Sequence, residues 1–170
     1  MAASRFASSS QRFRRVTDGA AIVSLNSSPG GVPKLPRDEL FVSTSGLEGD
    51  GHCFDLHGGP DRAVCLFAAE VIDALRAEGH PIAAGTAGEN VTVRGLDWPT
   101  IVPGVRLVLG AVEVEITEYA TPCQTIVDSF SDRRSKRISQ KLHPGWSRVY
   151  ARVITEGILT LGDPVRVVPA

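Results

Sequence analysis

Between Val112 and Glu118 the chain reads Val-Glu-Val-Glu-Ile-Thr-Glu, apolar and polar by turns without a fault. A period of two places Val112, Val114 and Ile116 on one face, so the segment predicts a strand with one wet side. Ala20 to Leu25, Ala63 to Phe67, Val91 to Val93, Val105 to Leu109, Val149 to Thr155 and Val165 to Val168 are further apolar or β-branched runs. Gly, Pro or polar clusters bound them, which predicts short strands. Val105-Arg106-Leu107-Val108 and Val165-Arg166-Val167-Val168 resemble one another, but four residues do not make a repeat. Helical spacing is rare. Ala68 to Glu78 puts Val71, Ile72 and Leu75 on one face and stops at Gly79 before Pro81. A second helix is predicted over Arg133 to Leu142, its charges forming a solvated face. Many short strands with two helices predict a mainly β domain, a barrel or a sandwich. Closure into a barrel would remove exposed strand edges.

The length of 170 residues fits one domain. No linker or low-complexity tract divides it after residue 20, so residues 1–19 are read as a basic N-terminal extension and 20–170 as the domain. The extension carries Arg5, Arg12, Arg14 and Arg15 and no acid before Asp18. That composition suits an organellar transit peptide, and equally an ordinary basic bacterial N-terminus or an expression scar. Arginines outnumber lysines throughout, which favours a bacterial, cytoplasmic protein. A net charge of −1 argues against a dedicated nucleic-acid or membrane surface. No apolar run approaches the ~20 residues a membrane helix needs. Three cysteines cannot all pair, and none forms a CxxC, so a reducing compartment is expected.

The densest polar stretch runs from Gly46 to Arg62 and holds His52, Cys53, His57, Asp61 and Arg62 among glycines that include Gly58 and Gly59. Glycine lets successive backbone N–H groups converge on an anion. The bland alternative is a turn-rich surface loop; the core run Ala63 to Phe67 directly after it ties it to the domain, where sites are built. A second loop, Gly85 to Asn90, offers Thr86, Gly88 and Asn90 as a further phosphate cradle. The third element is Ala120-Thr121-Pro122-Cys123-Gln124. Cys123 follows the alternating strand and a proline, beside polar Thr121 and Gln124, a setting for a thiolate that a ligand must reach. Cys65 lies in an apolar run and reads as packing. A zinc site from His52, Cys53 and His57 is a weaker alternative, since adjacent residues seldom point at one ion.

His57-Gly58-Gly59-Pro60-Asp61-Arg62-Ala63-Val64, then Gly88-Glu89-Asn90, then Pro122-Cys123, resemble in that order the MOSC domain family, the C-terminal domain of molybdenum cofactor sulfurases. Gly46-Leu47-Glu48-Gly49-Asp50, Gly145-Trp146 and Gly157 make it most similar to the small bacterial stand-alone members. The resemblance covers roughly residues 20 to 168. It implies a mainly β barrel, of the pyruvate-kinase-barrel type, that binds the molybdenum cofactor with Cys123 as the protein ligand to the metal. A soft thiolate suits such a metal. Lys34, His57, Gly58, Gly59, Arg62, Thr86, Gly88 and Asn90 would hold the pterin and its phosphate. Related mitochondrial amidoxime-reducing proteins have an arginine where this chain has Gly88, which passes the phosphate clamp to Arg148 or Arg152. The implied activity is removal of oxygen from N-hydroxylated compounds at the Cys123-bound metal, with His57 and Asp61 as proton donors. The chain has no four-cysteine iron–sulfur pattern and no nucleotide fingerprint, so a separate reductase must bring electrons. The alternative is a non-catalytic carrier of the cofactor, or a sulfur-transfer module with a persulfide at Cys123.

Overall fold

The computed structural model describes residues 19–51 and 58–170. Eleven strands are formed: β1 (Ala21–Ser27), β2 (Leu35–Arg37), β3 (Glu39–Ser43), β4 (Gly46–Leu47), β5 (Val64–Ala68), β6 (Val91–Arg94), β7 (Arg106–Leu109), β8 (Val112–Tyr119), β9 (Val149–Thr155), β10 (Gly157–Thr160) and β11 (Val165–Val167). The alternating segment is β8, with Val112, Val114 and Ile116 buried and the residues between them half-exposed. In β5 all five side chains are buried; β9 and β6 pair with its two edges, while the core and the helix that follows pack against its faces. A strand covered on both faces reads as a continuous apolar run, as Val64 to Ala68 does.

β5 and β6 are parallel, and the one α-helix among the described residues, α1 (Ala69–Ala77), lies in the crossover between them. Its apolar stripe of Val71, Ile72 and Leu75 packs into the core. Gly79 ends it at φ 96, where the His80 N–H reaches the Leu75 carbonyl and the Gly79 N–H reaches that of Arg76. This is a Schellman cap, which needs a left-handed residue that glycine adopts without steric cost.

The main sheet has the order β11-β7-β8-β9-β5-β6-β1-β2, and β10-β3-β4 form a second, smaller sheet. The two look-alike runs are antiparallel neighbours, β7 and β11, with Val165 opposite Leu109 and Val167 opposite Leu107. Strand pairing leaves the main sheet open, and the expected closed barrel is not formed by a continuous ladder. Three backbone hydrogen bonds tie β1 to the approach to β11: Ile22 N–H to Asp163, Gly162 N–H to Ile22 and Val165 N–H to Ala20.

One predicted element is corrected. Residues 133–142 contain no α-helix; Ser135–Ile138 make one 3-10 turn, and turns follow over residues 140–142. Ile138 and Leu142 are its only apolar residues, too few for a helical stripe, and only Ile138 is buried. Serine also competes with the helix for backbone groups. Residues 1–18 and 52–57 lie outside the described residues, and with them the N-terminal targeting reading, most of the basic extension, His57 and the zinc alternative.

Candidate functional site

The parallel pair β5–β6 begins at Asn90, whose own groups extend the ladder toward a cleft. The Asn90 N–H donates to the Cys65 carbonyl at 2.8 Å, and the Cys65 N–H donates to Asn90 Oδ1 at 3.0 Å. Asn90 Nδ2 then donates to Asp50 Oδ2 at 2.9 Å. Lys34 Nζ donates to the same oxygen at 2.5 Å, and the Ser28 N–H donates to the other one at 3.0 Å. Lys34 and Asp50 are buried, so this is a fully hydrogen-bonded ion pair forming one wall. Gly51 follows Asp50 and lies against the Pro29 backbone, where a Cβ would collide with the carbonyl. The Gly-Leu-Glu-Gly-Asp segment is thus locked onto the loop after β1.

The opposite wall is set by Arg148. The Ala120 N–H donates to the Arg148 carbonyl at 2.9 Å, joining the end of β8 to the start of β9. The buried Arg148 guanidinium donates to the carbonyls of Ala87 and Thr121, so it braces the Gly85–Asn90 loop against the loop carrying Cys123. Gly88, at φ 83, lies over it: a Cβ there would sit 3.6 Å from Arg148 Nη1 and 3.3 Å from Val32. Arg148 Nε is buried and has no hydrogen-bond partner.

These walls enclose a cleft of about 620 Å³, mouth included, lined by Lys34, Arg62, Gly88, Asn90, Cys123 and Arg148 among others. The sequence-predicted residues therefore meet, from five separate segments. Cys123 is half-exposed at the start of the 3-10 turn Gln124–Ser129, with its sulfur 2.9 Å from Thr125 Oγ1. Arg62 ends the 3-10 turn Pro60–Arg62, pairs with Glu118 through Nε and Nη2 at 2.5 and 3.0 Å, and lies 5.4 Å over the Tyr150 ring. Thr86 lines a smaller recess that shares Val32, Thr125 and Ile126 with the cleft. Gly58 and Gly59 lead into the Pro60–Arg62 turn and do not line the cleft.

Asp61 is not brought in. Its carboxylate is exposed and 3.5 Å from Arg152, which also faces Glu115. Being next to Arg62 on a 3-10 turn turns it away from its neighbour. Arg152 is accordingly excluded as a cleft residue, and of the two arginines offered as clamp only Arg148 lines it.

Three contributors were missed from sequence. Asp50 was quoted only as part of a motif. Tyr150, on β9, lies two residues after Arg148, which directly precedes that strand, so an extended period alone could have placed both on one face. Cys65, read as packing, is buried yet lines the cleft floor opposite Tyr150. Burial pushes the Cys65 thiol up to about 11 and the Tyr150 hydroxyl up to about 12, so both stay protonated. Glu89 is fully buried with Oε1 bonded to the Gly85 N–H and the Thr92 hydroxyl and Oε2 unpartnered; desolvation raises its pKa. Among the described residues no group of three His, Cys, Asp or Glu side chains forms a metal-binding cluster.

The chain is similar to known proteins across most of its length. It is 29% identical to the uncharacterized protein YflK of Bacillus subtilis over 78% of this chain, and 26% identical to protein YiiM of Escherichia coli over 82%. It is 30% identical, over 74% of its length, to a Gibberella moniliformis protein named reductase. The chain spans only 60%, 64% and 23% of those three proteins respectively. The crystal structure of YiiM from Geobacillus stearothermophilus superposes with a TM-score of 0.71 at 26% identity, covering 88% of this chain and 75% of that one. YUAD of Bacillus subtilis shares the fold at a TM-score of 0.69 and 17% identity, over 87% of this chain and 95% of that one. A family model described as the MOSC domain matches residues 54–166, which include every cleft segment after Gly51, and the chain belongs to that family.

Proposed function

We propose that the cleft binds a molybdenum cofactor through the Cys123 thiolate and that the protein reduces N-hydroxylated compounds. The observation that carries this reading is the pairing of an accessible thiol with a buried cation that has no salt-bridge partner. A guanidinium is a permanent cation. Among the described residues no carboxylate pairs with Arg148, and its Nε lacks a partner. Glu89, the nearby buried acid, has its pKa raised by desolvation, with the attraction of Arg148 acting the other way, and makes no ion pair with it. A ligand that is anionic at one end and carries a soft metal at the other matches both groups. The fungal relative named reductase supports the direction of the chemistry.

When bound, the cofactor supplies a two-electron centre able to take up oxygen. The overall change is N–OH plus two electrons and two protons giving N–H plus water; the N–O bond breaks and the oxygen leaves in the water. The chain's own residues bind and orient. Arg148, the Gly88 backbone and Lys34 would hold the anionic end, and Cys123 the metal. Tyr150 Oη holds a proton inside the cleft and can donate a hydrogen bond to the substrate oxygen. Arg62, itself fixed by Glu118, lies over the Tyr150 ring and borders that side of the cleft. Of the two proton donors expected from sequence, Asp61 is turned out of the cleft toward Arg152 and is not proposed for that role, and His57 lies outside the described residues.

Expression in a host that makes the cofactor, followed by metal analysis and turnover of an N-hydroxylated substrate with a reduced dye, tests the proposal. Wild type should carry molybdenum and turn over; Cys123→Ala should lose both while its circular dichroism is unchanged. Metal and activity kept in Cys123→Ala but lost in Cys53→Ala would move the ligand to the glycine loop. Molybdenum bound without turnover would favour the carrier role.

A further inference from the structure

Residues 132–142 concentrate positive charge beside the cleft. Arg133, Arg134, Lys136, Arg137 and Lys141 stand against one acid, Asp132, a net of +4 in a chain whose total is −1, which leaves −5 for everything else. The segment packs through Ser135–Ile138 against Gln124–Ser129, the turn that starts at Cys123. Arg137 is held by Glu78 and lies 3.9 Å over the Trp146 ring. Arg133 is bound to Asp128, and Asp128 lines the recess that opens beside the cleft at Thr125. Arg134, Lys136 and Lys141 are exposed, and no carboxylate among the described residues pairs with them.

Two features separate this segment from an ordinary solvated stretch. Arg133 sits at φ 57, the one non-glycine residue in the left-handed region among those described. Such a conformation is strained for a residue with a side chain and marks a backbone held in place by its surroundings. Leu142 is 57% exposed, the most exposed large apolar residue described, at the end of the basic segment next to Lys141. An exposed apolar side chain beside a basic stretch gives a partner an apolar contact as well as a charged one.

We infer that residues 132–142 dock the acidic face of a one-electron carrier protein, the donor that the reductase reading requires. Docking there sets the carrier's redox group against the recess, with Thr125 between it and Cys123. Two successive one-electron deliveries balance one N–O cleavage. The inference rests on that reading for the partner's role and on the charge and shape of this surface for its chemistry.

The test compares wild type with Arg134→Glu/Lys136→Glu/Lys141→Glu, using flavodoxin as an acidic carrier. Binding of flavodoxin at low salt is measured on cofactor-free protein, so no molybdenum is needed. The triple variant should bind on the order of tenfold or more weakly, and added salt should erase the difference. Loaded with cofactor, it should keep wild-type turnover with a reduced dye and lose it with reduced flavodoxin. Equal flavodoxin affinity of the two proteins overturns the inference. So does binding of duplex DNA that the variant loses while flavodoxin binds neither protein. Charge-dependent flavodoxin binding without dye-driven turnover upholds the surface and sinks the reductase reading instead.

Discussion

The two charged walls of the cleft use similar chemistry at different depths. On the inner wall Lys34 and Asp50 have side chains only 8% and 2% exposed, and Asn90 and the Ser28 N–H complete the acceptor set of Asp50. On the outer side Arg62 and Glu118 are 35% and 40% exposed, where solvent screens their attraction. Depth changes what each pair is for. A buried pair that loses one partner leaves a charge stranded in low dielectric, so the inner pair fixes the shape of the wall. An exposed pair contributes little to stability, so the outer pair is available to position Arg62 over Tyr150 at small cost. Arg148 belongs to neither kind: it is buried like Lys34 but has no ion-pair partner among the described residues, and its Nε is unpartnered.

The comparison breaks most readily at Lys34. Lys34→Met should destabilise the protein by about 3–5 kcal/mol, because Asp50 stays buried with its counter-charge gone. Urea unfolding measures this, and a loss under about 1 kcal/mol would erase the distinction between the walls. Cys65→Ala should cost on the order of 1 kcal/mol through a small cavity under Tyr150. It should also flatten the alkaline limb of stability. With the folded-state thiol at about 11, above its unfolded value, the native state binds the extra proton. That stabilisation is complete below the unfolded pKa and disappears as pH rises through about 11. Thermal melts from pH 8 upward would show wild type falling more steeply than Cys65→Ala; parallel curves would refute it. Glu118→Gln should be the mildest, roughly 0.2–1 kcal/mol, yet should raise the KM for substrate as Arg62 loses its anchor. A stability loss as large as that of Lys34→Met would show that the outer pair is structural after all.

What could be read beforehand follows the range of the forces involved. β8, β9 and α1 announce themselves by local period, and the predicted ranges Val149 to Thr155 and Ala68 to Glu78 fall on or within one residue of the observed elements. β2, β3, β4 and β10 were not foreseen. They are two to five residues long, and their existence depends on partners far along the chain, such as Ile158 opposite Phe41. In the cleft, the glycine motifs and Pro122-Cys123 were legible because glycine and cysteine have few other reasons to cluster. Asp50 and Tyr150 were not, since an acid after a glycine and a tyrosine in a strand are ordinary by themselves. Only the folded sheet sets Tyr150 across from Cys65. The helix expected at 133–142 failed because charge spacing was allowed to stand in for an apolar stripe.

The hydrogen bonds that join β1 to residues 162–165 have a consequence for synthesis on the ribosome. β1 emerges early and pairs first with β2, about ten positions later, and then with β6, about seventy positions later, while the contacts at its N-terminal end wait for Asp163 and Val165. Through that interval one end of β1 offers unpaired backbone groups to any neighbouring strand. The order of translation leaves the seam between the first and last strands open longest, and substitutions that slow its closing would surface as aggregation of nascent chains rather than as weakened native protein.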